Sequence, residues 1–115
     1  MTMALVGGLI AASLGQATAA DAAPKGIEFF EKNIRPVLAN NCYQCHSADA
    51  RVLKGGLFLD SKQGILNGGD SGPVIVPGNP GESRLIEAIH HKDKLKMPPK
   101  RKLPDRVIAN FSEWI

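Results

Sequence analysis

Apolar side chains recur at helical spacing in two stretches of the chain, one before the cysteines and one at the end of the sequence. In the first stretch, from Ile27 to Asn40, they share one helix face, and Pro36 should kink or divide the helix. In the last stretch, Pro104-Asp105 opens a helix with a continuous apolar stripe. The two faces comprise Ile27, Phe30, Ile34, Val37 and Leu38, and then Val107, Ile108, Phe111, Trp114 and Ile115. No parallel-strand pattern accompanies them, so we expect an all-α domain with long loops.

Two shorter helices are predicted between these stretches. Ser61 can cap a helix that ends at Asn67, where glycines follow. Asn79 can cap another, with Pro80 in its first position, and that helix should end near His91.

The first residues of the chain differ from the rest. Met1 to Ala23 carries one charged residue, Asp21, and an apolar run that ends at Leu14. Ala17-Thr18-Ala19 suits a signal peptidase, although the usual positive charge near the start is missing. We expect residues 1–20 to be a signal peptide, with an uncleaved anchor as the alternative, and residues 26–115 to form the folded domain.

The net charge of +3 is unevenly distributed. Between Lys92 and Lys102 the only acidic residue is Asp93, and the basic residues there are Lys92, Lys94, Lys96, Lys100, Arg101 and Lys102. This segment, the basic loop, is either a solvated loop or a docking face for an acidic partner. With one Trp, one Tyr and no recognisable binding module, the chain does not resemble a nucleic-acid-binding protein.

Both cysteines of the chain lie in one motif, Cys42-Tyr43-Gln44-Cys45-His46. This C-x-x-C-H spacing is typical of c-type haem attachment, in which two thiols bind one porphyrin edge and the histidine ligates the iron. We expect a backbone carbonyl near Gly72-Pro73 to orient the other ring nitrogen of His46.

Two alternatives use the same cysteines. A thioredoxin-like dithiol needs a preceding strand in a βαβ unit, whereas a helix precedes Cys42 here. A zinc site needs four ligands, which His90 and His91 could complete, but the spacing fits no familiar zinc module. Haem attachment is the favoured interpretation, and it agrees with export.

The iron of a c-type haem needs a sixth ligand or has an open site. Met97 is the only methionine after the leader, and the two prolines that follow it fix the direction of the backbone. We expect Met97 to be the distal ligand. His90 and His91 are weaker candidates, because a cation is favourable at a helix C-terminus in any case.

Several segments resemble the planctomycete-type cytochrome c domain, which is similar to class I cytochromes c. They are Ile34-Arg35-Pro36-Val37-Leu38, Cys42-Tyr43-Gln44-Cys45-His46-Ser47, Lys54-Gly55-Gly56-Leu57, Gly68-Gly69-Asp70-Ser71-Gly72-Pro73, Val76-Pro77-Gly78 and Leu95-Lys96-Met97-Pro98-Pro99. The resemblance implies a small helical domain wrapped around one covalent haem, in which the first and last helices cross. It implies haem on Cys42 and Cys45, His46 as proximal ligand and Met97 as distal ligand.

Such domains often begin larger exported proteins, and the apolar end at Trp114-Ile115 leads us to expect further C-terminal domains. The primary hypothesis is an exported electron carrier, periplasmic or otherwise extracytoplasmic and membrane-tethered if the leader is an uncleaved anchor. It is not a catalyst by itself, and an acidic redox partner docks at its basic loop. The alternatives are a redox domain of a larger exported enzyme, a peroxidase-like open haem, and an interaction module without redox turnover.

Overall fold

The computed structural model describes residues 2–4, 7–8 and 25–115, and these form helices joined by long loops. The α-helices are α1 (Lys25–Phe29), α2 (Arg35–Asn41), α3 (Lys62–Asn67), α4 (Arg84–Ile89) and α5 (Asp105–Trp114), with a π-helix at Phe30–Ile34 and a 3-10 helix at Pro80–Glu82. Within these described ranges there is no strand, only an isolated bridge between Gly69 and Gly72. The all-α prediction is confirmed at this level.

The predicted interruption at Pro36 takes the form of a π-helix. Proline lacks an amide hydrogen, and its ring collides with the carbonyl four residues earlier. Widening the preceding turn relieves this conflict, and the amide of Arg35 accordingly bonds to the carbonyl of Phe30. Ile34 and Leu38 are buried on either side of Pro36, whereas Ile27 is exposed, so the apolar face begins later than predicted.

The loop between α3 and α4 packs closely against the loop that precedes α3. Ser61 caps α3 as predicted, since its hydroxyl accepts a hydrogen bond from the amide of Gly64 at 3.0 Å. The amide of Asp70 donates to the carbonyl of Gly55 at 2.8 Å, and a Cβ on Gly69 would lie 2.5 Å from the same oxygen. These glycines therefore allow two loops of the chain to touch.

The start of α4 differs from the prediction at Asn79. A 3-10 turn comes first, and Ser83, which is 2 % exposed, stands immediately before Arg84. The Ser83 hydroxyl accepts from the amide of Val76 at 2.9 Å and donates to the carbonyl of Asn79 at 2.9 Å. Asn79 and Pro80 do begin a helical turn, the 3-10 turn, but the side chain of Asn79 donates to Glu82 and the predicted hydrogen bond to a backbone amide is absent.

Helix α5 packs against the π-helix and α4, and this contact holds the apolar core. Phe111 is 1 % exposed, and the ring of Trp114 lies 6.1 Å from it and 5.5 Å from the ring of Phe30. The core consists of Ile34, Leu38, Leu59, Ile65, Val74, Ile75, Leu85, Ile86, Ile89, Leu103, Ile108 and Phe111. The amphipathic face predicted for the last helix is confirmed.

The predicted signal peptide, residues 1–20, lies almost wholly outside the described residues, and its cleavage stays a prediction. No helix in the described part of the chain is long and apolar enough to cross a membrane.

Candidate functional site

The Cys42–His46 motif forms a hydrogen-bonded turn directly after α2. The carbonyl of Cys42 accepts from the amides of Cys45 at 3.2 Å and of His46 at 2.9 Å. Both cysteines are free thiols and half-buried. The turn therefore presents two thiols and an imidazole from five consecutive residues.

The loop that follows fixes this turn from the other side. The amide of Lys54 donates to the carbonyl of Cys45 at 2.9 Å. The amide of Leu59 donates to the carbonyl of His46 at 2.8 Å. The buried hydroxyl of Ser47 donates to the carbonyl of Tyr43 at 2.7 Å. The backbone of the motif is thus held without any contribution from the cysteine or histidine side chains.

One nitrogen of the His46 ring is buried and has no hydrogen-bond partner among the described residues. This nitrogen, Nδ1, is inaccessible to solvent. The expected hydrogen bond to a carbonyl near Gly72-Pro73 is therefore absent, and that prediction is wrong. An unpaired buried nitrogen in a native protein requires an explanation.

The Cys42 thiol is protonated at neutral pH. Burial is the larger cause, with the neighbouring Cys45 adding to it, and together they raise the pKa of Cys42 to about 11. Reactive dithiols work by the opposite shift, because the thiolate is the nucleophile. Burial also raises the pKa of the Tyr43 phenol, against a lowering effect of Arg35.

A cavity of about 690 Å³ lies beside the second cysteine, within the range of about 300–1,000 Å³ common for small-molecule sites. Cys45 lines it together with segments from both ends of the domain: Val37, Asn40, Asn41 and Gln44, then Pro98, Pro99, Lys100, Arg101, Lys102, Leu103, Pro104 and Val107. This cavity, the Cys45 cavity, brings the basic loop to the motif. The residues that line it in the described structure do not include Cys42, His46 or Met97.

Met97 is half-buried and stands apart from the apolar core. Its amide donates to the carbonyl of Ala88 at 3.0 Å, which anchors the basic loop on the end of α4. The next residue, Pro98, lines the Cys45 cavity. The predicted distal ligand is thus adjacent in sequence to the cavity wall.

Sequence reasoning missed the polar part of the cavity wall. Asn41 and Gln44 follow Val37 at spacings of four and seven, which places them on one helix face when the turn continues α2. That periodicity was the available signal.

A second cavity, of about 760 Å³, lies between the first helices, α3 and the end of α5. Tyr43 and Trp114 are among the residues that line it, and no cysteine is. The Cys45 cavity is therefore the better candidate for a site linked to the motif.

The two alternative uses of the cysteines find no support in the geometry. The described part of the chain contains no group of three or more His, Cys, Asp or Glu side chains that could hold a metal ion, as a zinc site would need. A thioredoxin-like dithiol requires neighbouring parallel strands, and the described residues have none.

Comparison with protein families gives the remaining observation. The family model described as Planctomycete cytochrome C matches residues 42–101, from the first cysteine into the basic loop and just over half of the chain. The chain belongs to the planctomycete cytochrome c family. The expected resemblance is therefore confirmed, and membership indicates a haem-binding redox domain. No curated protein and no solved structure matches the chain.

For this cytochrome, the match begins at Cys42 and includes His46 and Met97. The roles of Cys42 and Cys45 in haem attachment, and of His46 and Met97 as iron ligands, stay predictions. So do the domain bounds, export and the partner.

Proposed function

We propose that this protein is an exported electron-transfer domain with one covalent haem c. Cys42 and Cys45 would hold the haem by thioethers, with His46 as the proximal iron ligand and Met97 as the distal one. A c-type haem supplies an iron that alternates between the ferrous and ferric states. The domain would be a small cytochrome c wrapped around that group.

The observation that carries the proposal is the hydrogen-bonded turn at Cys42–His46 in a chain of this family. Addition of a thiol across a vinyl group consumes an S–H, and Cys42 is kept protonated by burial, which raises its pKa to about 11. The buried Nδ1 of His46 has no hydrogen-bond partner among the described residues. These residues fit the attachment site of a c-type haem.

In this proposal, two side chains would ligate the iron, and backbone hydrogen bonds would hold those two residues in position. His46 would present one imidazole nitrogen to the iron, while the amide of Leu59 donates a hydrogen bond to the His46 carbonyl and holds its backbone in place. Met97 would approach from the basic loop. The hydrogen bond from the Met97 amide to the Ala88 carbonyl fixes the position of that loop. Thioether ligation favours a higher reduction potential than two imidazoles.

An absorption spectrum of protein matured with covalent haem tests this proposal. The expected result is a c-type spectrum with a methionine–iron charge-transfer band in the oxidised state, absent in Met97→Ala. Lys96→Ala, an exposed neighbour in the same loop, is the matched control and should keep the band. A c-type spectrum without the band would refute Met97 ligation, and lack of covalent haem would refute the proposal as a whole.

The basic loop is the proposed docking surface for an acidic redox partner. All six of its basic side chains are exposed, and three of the six residues line the Cys45 cavity. Clustered exposed charge accelerates encounter with an oppositely charged surface and is screened by salt. Export is part of the same proposal, since attachment of c-type haem takes place outside the bacterial cytoplasm.

Charge reversal in the basic loop tests the docking proposal. Lys96→Glu with Lys100→Glu should slow electron transfer to an acidic partner and reduce its dependence on salt. Arg51→Glu with Lys62→Glu, at two exposed residues outside the loop, makes the same change in net charge and is the control. Equal rates for the loop variant and the control would exclude the loop as a docking site.

A further inference from the structure

The charged residues that line the Cys45 cavity are all basic. They are Lys100, Arg101 and Lys102, and no acidic side chain lines the cavity with them in the described structure. The motif turn and α5 contribute uncharged residues to the same wall, such as Gln44 and Val107. A ligand that occupied this cavity would therefore meet positive charge on one side only.

The second cavity has no such charge. Its charged side chains are two acidic and two basic ones, Glu31, Asp60, Arg35 and Lys62. No cysteine lines it either. Because opposite charges recognise each other, an anionic group attached to the motif finds its complement in the Cys45 cavity and not in the second one.

The three basic residues of the Cys45 cavity differ in their partners. The Nζ of Lys102 lies 3.7 Å from a carboxylate oxygen of Asp105, whereas Lys100 and Arg101 form no ion pair in the described part of the chain. Of these two, arginine is the better partner for a carboxylate. Its planar guanidinium donates two parallel hydrogen bonds and keeps its charge at every physiological pH.

The segment that carries Arg101 is held to the fold on both sides. Before it, the amide of Met97 donates to the carbonyl of Ala88 at 3.0 Å. After it, Leu103 is 7 % exposed and belongs to the apolar core. Arg101 itself is exposed at the cavity, so its guanidinium stays accessible to a ligand there.

We propose that Arg101 binds a propionate carboxylate of the haem. This inference rests on the proposed function, because it requires a haem attached at Cys45. A haem carries two propionate groups in addition to the vinyl groups that react with thiols, so attachment to the motif brings carboxylates into the domain. The Cys45 cavity joins one thiol of the motif to basic residues from a distant segment of the chain, which is the combination that such a group needs.

The contact would orient the haem and affect its redox chemistry. A neighbouring cation lowers the pKa of a carboxyl group, so Arg101 would keep the propionate ionised at lower pH. The ion pair would also divide the work of the basic loop. Arg101 would bind the haem, while the basic residues that do not line the cavity, Lys92, Lys94 and Lys96, would remain available to a partner.

The test uses protein matured with covalent haem and compares Arg101→Gln, Arg101→Lys and Lys100→Gln with wild type. Arg106→Gln is the matched control, because Arg106 is an exposed arginine of α5 that does not line the Cys45 cavity. One readout is the reduction potential as a function of pH at fixed ionic strength. The other is the propionate bending band in the resonance Raman spectrum, with far-ultraviolet circular dichroism as a check of folding.

The potential should fall with rising pH where the propionate ionises, because the carboxylate favours the ferric state. In Arg101→Gln this fall should move upward by about 1 pH unit, since the cation that lowers the propionate pKa is lost. Arg101→Lys should keep most of the pH profile but shift the Raman band, because lysine keeps the charge without the two parallel hydrogen bonds. Lys100→Gln and Arg106→Gln should leave the Raman band and the position of the fall unchanged.

Four outcomes would overturn the inference. A wild-type pH profile and Raman band in haem-loaded Arg101→Gln would refute the contact and leave the proposed function intact. An equal shift in Arg106→Gln would reduce the effect to net charge, and a shift in Lys100→Gln alone would assign the carboxylate to Lys100. A wild-type protein without covalent haem would remove the proposed function together with this consequence.

Discussion

Replacement of Phe111 by alanine tests the packing of the last helix against the π-helix and α4. Phe111 is 1 % exposed and packs in the core with Ile34 and Leu38, which are 0 % and 1 % exposed. Removing a buried phenylalanine side chain costs about 3–5 kcal/mol, through lost burial and the cavity that remains. The edge-on contact with Trp114, at 6.1 Å between ring centroids, is lost as well and favours the upper part of that range.

That loss is large beside the about 5–15 kcal/mol by which native domains are stable. With a urea m-value of about 1–2 kcal/mol per molar for a domain of this size, the unfolding midpoint should fall by about 2 M or more. Urea unfolding of the protein, followed by far-ultraviolet circular dichroism, measures the midpoint. Glu113→Ala, an exposed change on the same helix, should stay within about 0.5 kcal/mol of wild type. Equal midpoints for the two variants would refute the packing described for α5.

Three further changes test separate features of the fold. Ser83→Ala should lower the free energy of unfolding by about 1–3 kcal/mol in urea, because the amide of Val76 is left unpaired; a loss below about 0.5 kcal/mol would contradict its role. Gly68→Ala should lower the free energy of unfolding by about 2 kcal/mol or more in the same assay, because the φ of Gly68 is 73° and a Cβ there would lie 2.3 Å from the carbonyl oxygen of Gly72. In the control Gly81→Ala, the new Cβ meets nothing within 4 Å, and the loss should be smaller. In the haem-free chain, alkylation of Cys42 should keep accelerating up to a pH of about 11, because burial raises its pKa from 9.0, and a plateau near pH 9 would contradict that burial. The raised pKa of Cys42 also makes the free energy of unfolding depend on pH, because the folded state favours the neutral thiol. The contribution of this thiol to stability is complete below pH 9 and is lost as the pH rises toward about 11.

The helices could be predicted where one local rule governs them. The apolar stripe of α5 and the Ser61 cap of α3 depend on spacing and on one hydroxyl, and both are present in the structure. The start of α4 could not be predicted from Asn79 and Pro80, because Ser83 is engaged by the distant amide of Val76. A helix-capping pattern covers only the residues next to the helix start, so it does not predict a hydrogen bond between residues seven apart, such as Val76 and Ser83.

The site shows the same division. Spacing alone predicts Cys42, Cys45 and His46 as the haem site, and membership of the cytochrome family agrees with that prediction, while their individual roles stay predictions. The surroundings of His91 had no such signal, since position at a helix end predicts exposure and a favourable cation. Only the folded chain places its Nε2 out of reach of solvent and its amide on the carbonyl that also anchors Met97.

The position of the motif at the margin of the core links haem attachment to stability. Cys42 and Tyr43 pack against the core while remaining partly exposed, and so do Val37 and Leu57. Each of these side chains gains burial only when something covers it, at about 25 cal/mol for every Å² of apolar surface removed from water. The folded part described, residues 25–115, is small and has few other means of gaining stability, because both cysteines of the chain belong to one motif and cannot join distant segments. We therefore expect covalent haem to raise the unfolding midpoint in urea well above that of Cys42→Ala with Cys45→Ala, a variant that has no thiol for attachment. Equal midpoints would mean that the apolar margin beside the motif is covered by something other than haem.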